Sequence, residues 1–254
     1  MQYKQKEWTE QWSFFKDTEI FLFKEWISPH KLDIFSNKNV LECGCGGGQH
    51  SNIIAQYSKQ LTAVDLNTID IAKKRNAHHN NITYVEEDIA TMDLGKKYDI
   101  VISIGVVHHT DNPEKTVENM KKHLANGGLL ILWVYSDEGN SLVKNWVEPI
   151  RKKYLIYKNR KQLIRLSKII TMAMYIPIYS IYMLKIKRLP YYEYFENFRK
   201  MSFYRNMLNV FDKLNAPQTD FISYASAKRF VSDLKKSKVL PYKGVSWRIS
   251  GIKN

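Results

Sequence analysis

Residues 40–50 read VLECGCGGGQH, and this stretch decides the fold. Four of the chain's eleven glycines lie within residues 44–48. Glycines cluster in this way where the backbone must turn tightly and approach a ligand, because a Cβ would obstruct both. The apolar residues before the loop predict a short strand, and the sequence from His50 predicts a helix. A strand, a glycine-rich turn and a helix start form an anion or nucleotide site, since free N–H groups and the helix dipole point at the ligand.

The residues around the glycines exclude two common nucleotide loops. A phosphate-binding P-loop carries Lys and then Ser or Thr after its last glycine, where this chain has Gln49 and His50. A dinucleotide-binding loop of the form G-x-G-x-x-G needs its third glycine where Gln49 stands. What remains is an acid followed by three alternating glycines: Glu42, Gly44, Gly46 and Gly48.

Apolar segments alternate with helical ones on both sides of the loop. Strands are predicted at Asn39–Cys43, Leu61–Val64, Ile82–Val85, Tyr98–Ile104 and Leu129–Val134, with two short ones near Val239–Tyr242 and Val245–Ile249. This alternation is typical of βαβ units, so we predict an α/β fold with a Rossmann-like, mostly parallel seven-stranded sheet and helices on both faces. We expect four parts: an N-terminal helical lid (1–36), the Rossmann-like core (37–136), a basic, aromatic helical cap insertion (137–222), and a last helix with two strands (223–254).

The charge distribution divides the chain into two halves. Residues 1–140 carry 15 Lys and Arg against 19 Asp and Glu, whereas residues 141–254 carry 24 against 6. Residues 151–188 contain eleven Lys and Arg and no acid, and residues 169–184 have no charge. A transmembrane helix needs about 20 apolar residues, so these sixteen uncharged residues, which include Pro177, are too few to cross a membrane readily. The segment fits a plain substrate cap or dimer face, an anionic membrane surface, nucleic acid, or an acidic carrier protein.

Four motifs in order resemble the class I S-adenosylmethionine (SAM)-dependent methyltransferases over residues 37–135. In that family the first strand ends in an acid-x-Gly-x-Gly-x-Gly loop, and an acid that ends the second strand holds the ribose hydroxyls, as Asp65 would. A further acid near the adenine follows the third strand, matching Asp88. DIVISIGVVHHTDNP (99–113) is similar to the fourth strand and its exit, and LANGGLLIL (124–132) to a later turn, except that Asn126 replaces the usual proline.

The resemblance implies SAM as cofactor and S-adenosylhomocysteine (SAH) as product. The implied cofactor-binding residues are Glu42, Gly44, Gly46, Gly48, Asp65, Leu66, Asp88, Ile89 and Ser103. It also implies methyl transfer by in-line displacement to an oxygen or nitrogen atom, with carbon ranked behind them. The acceptor would be a small molecule, a saccharide or a lipid-linked compound. The alternatives are an RNA methyltransferase that uses the basic half and a non-catalytic SAM-fold binding protein.

Two histidines are the candidates for catalysis. The sulfonium already activates the methyl group, so the reaction mainly needs the acceptor held in place, and a base adds about 10²- to 10⁴-fold. His108 and His109 follow the fourth strand at its carboxyl end, where ligands of α/β folds bind. We rank His109 first and His108 second as the catalytic residue. The alternative is that one histidine packs against the loop. We expect no metal site.

The chain is expected in the cytoplasm. No stretch resembles a secretory signal, and the only two cysteines, Cys43 and Cys45, lie inside the glycine loop. The basic segment adds the expectation of peripheral attachment to the inner face of the membrane.

Overall fold

The computed structural model describes residues 6–15, 20–155 and 157–254. Within them seven strands form one sheet: β1 (Asn39–Cys43), β2 (Gln60–Asp65), β3 (Ile82–Glu86), β4 (Tyr98–Ile104), β5 (Leu124–Tyr135), β6 (Lys235–Tyr242) and β7 (Ser246–Ile252). Their order across the sheet is β3-β2-β1-β4-β5-β7-β6. Strands β1 to β5 pair in parallel, whereas β7 is antiparallel to both β5 and β6. The fold class predicted from the sequence is confirmed.

Helices cover both faces of this sheet. The α-helices are α1 (Lys6–Phe14), α2 (Ile20–Ile27), α3 (Gln49–Ala55), α4 (Ile69–Arg75), α5 (Pro113–Lys122), α6 (Glu148–Ile150), α7 (Arg160–Ile178), α8 (Tyr192–Lys200), α9 (Phe203–Asn215) and α10 (Tyr224–Phe230). Two π-helical turns, Val143–Val147 and Arg151–Leu155, flank α6, and 3₁₀ turns cover Leu32–Phe35, Val107–His109 and Ile181–Leu184.

The central strands are apolar because both of their faces are buried. Leu41 and Val101 belong to the apolar cluster on one face of the sheet, and Val40 and Ile100 belong to the cluster on the other. Successive side chains of a strand point to opposite faces, so a strand covered on both sides needs a continuous apolar run. The apolar runs therefore predict the strands well.

Five strands (β2, β3, β5, β6 and β7) are longer than the segments predicted from the sequence, and β5 and β6 gain the most residues. β5 begins at Leu124 because the predicted turn at residues 125–128 is an irregularity within the strand, where Gly127 has a φ of 75°. β6 extends to Lys235, which pairs with Ile252 of β7. Backbone pairing continues here through charged residues at the sheet edge, which an apolar pattern does not reveal.

The segment between β5 and α10 is helical and packs on the core through α1. Leu163 of α7 and Phe211 of α9 form an apolar cluster together with Phe15, which follows α1. Arg160 at the start of α7 pairs with Glu7 and Glu10 of α1 at 2.7 and 2.8 Å. We retain the four-part division of the chain as a proposal and refer to α6–α9 as the cap.

Candidate functional site

The glycine loop joins β1 to α3 in a backbone conformation that side chains would obstruct. Gly44 and Gly46 have φ angles of 81° and 54°, in the left-handed region that favours glycine. A Cβ on Gly44 would lie 2.5 Å from Val106, and one on Gly46 would lie 2.9 Å from the indole nitrogen of Trp12. Both glycines line a cavity. The loop therefore brings bare backbone to the cavity wall.

Asp65 ends β2 and is fixed against this loop by its carboxylate. Its Oδ2 accepts a hydrogen bond from the Gly46 N–H at 2.9 Å, and its Oδ1 accepts from the N–H groups of Asn67 and Thr68 at 2.8 and 3.1 Å. An ionised carboxylate has about four acceptor positions, so three backbone donors leave capacity for a ligand hydroxyl. Asp65 also lines the cavity.

The cavity that these residues share, called here the main cavity, has a volume of about 570 Å³. Small-molecule sites are typically about 300–1,000 Å³, so the main cavity has the size of one. Its wall contains seven residues expected from the sequence: Gly44, Gly46, Asp65, Leu66, Asp88, Ile89 and His109. These residues follow four different strands. The parallel sheet brings the strands' carboxyl ends to one edge, which is where α/β folds bind ligands.

Three other expected residues lie outside the main-cavity wall and support the loop. Glu42 is buried and accepts a hydrogen bond from the Ser51 hydroxyl at 2.5 Å, and burial raises the pKa of Glu42 to about 8. The Ser103 hydroxyl donates to the Cys43 carbonyl at 2.8 Å. Gly48 is the N-cap of α3, with a φ of 77°. The structure thus places Glu42 and Ser103 beneath the loop and Gly48 at its end, where α3 begins.

Of the two histidines predicted to act in catalysis, His109 reaches the main cavity, whose wall also contains His50. The Nδ1 of His109 lies 2.8 Å from the carbonyl oxygen of Gln218, so Nδ1 carries the proton and donates it to that carbonyl. Burial lowers the pKa of His109, which keeps the ring neutral near pH 7. A neutral imidazole protonated on Nδ1 has a basic Nε2. His109 can therefore accept a proton at the cavity wall.

His108 occupies a different environment behind His109. Its side chain is buried, with ring centroids 4.2 Å from His109 and 4.3 Å from Tyr135. Neither ring nitrogen has a hydrogen-bond partner among the residues that the structure describes. Burial holds the pKa of His108 well below its ordinary value. His108 therefore packs between aromatic rings as a neutral side chain.

Asp212 of α9 lines the main cavity and was missed by the sequence reasoning. Its Oδ2 accepts a hydrogen bond from the Tyr135 hydroxyl at 3.0 Å, and its Oδ1 accepts one from Gln11 Nε2 at 3.2 Å. Burial, and next the nearby Asp212 charge, hold the pKa of Tyr135 well above its ordinary value, so the phenol stays a donor. The sequence offers one indication of Asp212: acidic residues are rare in residues 141–254, and Asp212 is one of only six.

A second, smaller cavity of about 80 Å³, called here the aromatic pocket, lies between the cap and β5. Its wall includes Trp26, Trp133, Tyr135, Tyr194, Tyr242, Arg205 and Lys213. The Lys213 ammonium lies 5.2 Å from the centre of the Tyr135 ring, within cation–π range. Tyr135 lines the aromatic pocket, and its hydroxyl donates to Asp212, which lines the main cavity. The Tyr135–Asp212 pair therefore lies between the two cavities.

Helix α1 lies over the main cavity and joins it to the cap. Trp8, Gln11 and Trp12 belong to the cavity wall. The Thr9 hydroxyl donates to the Asn67 carbonyl at 2.8 Å, next to Asp65. Helix α1 therefore lies over the cavity, and its role as part of an N-terminal lid stays a prediction.

Comparison with known proteins gives matches to the region of the chain that contains the glycine loop, Asp65, Asp88 and His109. Residues 41–132 match a family described as "Methyltransferase domain". Nodulation protein S of Azorhizobium caulinodans is 31% identical over 112 residues, which cover 42% of this chain and 53% of that protein. The ubiquinone biosynthesis O-methyltransferase of Rickettsia akari is 31% identical over 111 residues, which cover 42% of this chain and 44% of that protein. The matched segment spans about half the length of these curated relatives.

A solved structure shares the architecture over almost the whole chain. Magnesium protoporphyrin IX methyltransferase from Synechocystis PCC 6803, solved with bound SAH, superposes with a TM-score of 0.52 at 12% identity. The superposition covers 98% of this chain and 94% of that one. At this identity the likeness supports the fold alone.

Proposed function

We propose that this chain, which by residues 41–132 belongs to the class I SAM-dependent methyltransferase family, transfers a methyl group from SAM to an oxygen or nitrogen atom of a small-molecule acceptor. Carbon ranks behind these two atoms as the acceptor. One observation carries the proposal: the main cavity joins the glycine loop, Asp65, Asp88 and His109 at the carboxyl edge of the sheet.

The residues of the main cavity fit SAM by shape and by chemistry. The backbone at Gly44 and Gly46 forms a surface that a Cβ would fill. Asp65 offers acceptor capacity for a ribose hydroxyl, and we assign Asp88 and Ile89, which line the same cavity, to contact with the adenine. No phosphate has to be bound, so acids at the wall are compatible with a cationic ligand. When bound, SAM supplies a methyl group already activated by its sulfonium.

The protein's own contribution is to position the acceptor and to receive its proton. An in-line displacement requires the acceptor atom at about 3–3.5 Å from the methyl carbon, which the two cavities must enforce by shape. His109 Nε2 is the group we assign to proton acceptance, because the Gln218 carbonyl fixes the proton on Nδ1. His108 supports the His109 ring from behind. Helix α1 covers the site and excludes water from the reacting atoms.

The aromatic pocket is our proposed acceptor site. It meets the main cavity at the Tyr135–Asp212 pair and carries three cations, Arg205, Lys213 and Lys243. Aromatic walls with cations favour a flat apolar ring that bears an anionic group. The relative named for ubiquinone biosynthesis supports a small-molecule acceptor of this kind. A lipid-linked acceptor would extend from the pocket along the cap.

The partner of the basic segment in the cap is also part of the proposal. We place an anionic membrane surface first, with nucleic acid and a second copy of this chain as competing partners. The corresponding location is the cytoplasm, with peripheral attachment to the inner face of the membrane.

A turnover assay tests the proposed activity. Release of SAH from SAM would be followed with hydroxylated aromatic compounds, each with and without a carboxylate and with and without a prenyl chain. We expect turnover with anionic members, and a KM at least tenfold higher in Lys213→Met. Turnover only with RNA would replace the acceptor class. SAH binding without turnover on any of these acceptors would favour a non-catalytic binding protein.

A further inference from the structure

Helix α7 has two chemically different faces. Its inner face, with Leu163 and Ile178, packs against α9 and α8 in the interior. Its outer face is apolar over its second half, where Ile169 and Ile176 are 58% and 74% exposed. An inner face already buried in protein excludes a helix surrounded by lipid. The outer face has no such cover in the described residues.

The apolar surface continues beyond the end of α7 into the 3₁₀ turn. Seven exposed side chains of this surface are aliphatic or methionine: Ile169, Met172, Ile176, Ile181, Met183, Leu184 and Ile186. Leu184 is 69% exposed, and one aromatic side chain of the same stretch, Tyr179, is 44% exposed. Soluble monomers rarely expose contiguous apolar patches of this kind without a partner.

Positive charges lie on both sides of this apolar surface. Three of the eleven cations in residues 151–188 are paired with acids outside the segment: Arg151 and Lys152 with Glu148, and Arg160 with Glu7 and Glu10. The other eight have no ion pair with a described residue. These eight are Lys153, Lys158, Lys161, Arg165, Lys168, Lys185, Lys187 and Arg188. Lys161, Arg165 and Lys168 precede the apolar residues on the outer face, and Lys185, Lys187 and Arg188 follow or interleave with their end.

We propose that this surface, defined by the seven exposed apolar residues and the six cations at 161–168 and 185–188 and called here the α7 face, docks on an anionic lipid bilayer. The apolar residues enter the boundary between headgroups and acyl chains, and the cations contact anionic headgroups. The binding is peripheral and adds a partner to the proposed function without requiring turnover.

Composition and charge favour the bilayer over the other partners. Nucleic-acid surfaces use several aromatic side chains for base stacking, whereas the exposed apolar residues between Ile169 and Ile186 are aliphatic or methionine except for Tyr179. In a symmetric dimer formed through this face, the same cations would meet their own copies. The stretch Arg160–Leu184 contains an 18-residue window with a mean hydropathy of 1.2, which makes it a candidate membrane span by length and composition. However, α7 ends at Ile178, and its first half carries exposed cations.

A groove lies beside both the α7 face and the aromatic pocket and shares residues with each. It has a volume of about 740 Å³ and is lined by Lys187, Leu189, Tyr191 and Lys243, among others. Tyr191 and Lys243 also line the aromatic pocket. This part of the inference rests on the proposed function: a lipid-linked acceptor would leave the bilayer beside Lys187 and reach Tyr135 through the groove.

Vesicle sedimentation of the full chain tests the docking. The probes are liposomes of phosphatidylcholine alone and of phosphatidylcholine with about 30% phosphatidylglycerol. The second mixture gives the vesicle surface a negative charge of the order found on the cytoplasmic leaflet of a membrane. We expect binding to the anionic vesicles, at least tenfold weaker binding to the neutral ones, and a steep fall between 50 and 200 mM salt, a range of about twofold in screening length. Ile176→Asp and Leu184→Asp should each weaken binding at least about tenfold. Lys168→Glu and Lys187→Glu should weaken it on anionic vesicles.

Matched controls separate docking from folding and from activity. Tyr57→Asp introduces the same acid at an exposed aromatic residue of the Rossmann-like part of the chain, outside the cap. Lys96→Glu reverses an exposed charge that also lies outside the cap. Both variants should bind vesicles normally. Unchanged SAH affinity in every variant shows that the fold and the main cavity are intact. Equal binding to neutral and anionic vesicles overturns the anionic proposal. The absence of binding to any vesicle also overturns the proposal. Dimerisation that depends on Ile176, or salt-sensitive binding of RNA, would then identify the partner instead.

Discussion

The buried Glu42 gives a pH-dependent prediction for stability. Burial raises the pKa of this carboxyl from 4.5 to about 8, and its Ser51 partner opposes the shift only in part. The folded state therefore binds a proton that the unfolded chain releases between these two pH values. Stability from this group is fully present below about pH 4.5 and is lost as the pH rises towards about 8. At 1.36 kcal/mol per pKa unit, the loss between pH 5.5 and 7.5 is about 2–3 kcal/mol.

Urea unfolding of the wild type and Glu42→Gln at both pH values measures this loss. Glutamine keeps an oxygen that accepts from Ser51 and does not titrate. We expect the wild type to lose about 2–3 kcal/mol more than the variant between pH 5.5 and 7.5. Glu193→Gln removes an exposed carboxylate and should behave as the wild type. The reasoning fails if the difference between wild type and Glu42→Gln is the same at both pH values.

The other predictions concern the cavity wall. His109→Ala should lower turnover by about 10²- to 10⁴-fold and leave SAH affinity within about twofold, because the lost group acts in the transition state; a joint fall of turnover and melting temperature would instead indicate a packing role. Gly46→Ala should weaken SAH binding at least about tenfold, since its Cβ meets Trp12 and its φ is unfavourable for alanine; unchanged affinity in calorimetry would contradict the loop geometry. Tyr135→Phe should lower the free energy of unfolding by about 1–3 kcal/mol, the cost of leaving Asp212 without this donor; a change below about 0.5 kcal/mol in urea unfolding would show that the bond contributes nothing.

The sequence predicted the parts of the site that depend on local order along the chain. Asp65 ends the buried strand β2 and Asp88 follows the edge strand β3. Parallel strands place their carboxyl ends at one edge of the sheet, so both residues reach the main cavity. Periodicity is less informative about which side a residue takes where a strand ends. Glu42 and Ser103 therefore lie beneath the loop, although their motifs are in the expected order.

The rest of the site depends on contacts between distant segments, which local patterns do not contain. The hydrogen bond from Gln11 to Asp212 joins residues 201 positions apart. Likewise, the acids that pair with Arg160 come from α1, so the cap is less unbalanced in charge than residues 151–188 alone suggest. The aromatic pocket combines residues of α2, β5, α8, α9 and β6, and therefore exists only after the cap has packed on the core.

Calorimetry with SAH tests the central claim most directly, because it requires only the main cavity and no knowledge of the acceptor. We expect the wild type to bind SAH in the micromolar range. Asp65→Ala should bind it about 1–3 kcal/mol more weakly, because the ribose hydroxyls lose a charged partner. Binding of NAD without binding of SAH by the wild type would contradict the assignment of the cavity, and equal SAH affinity in Asp65→Ala would remove that carboxylate from the site.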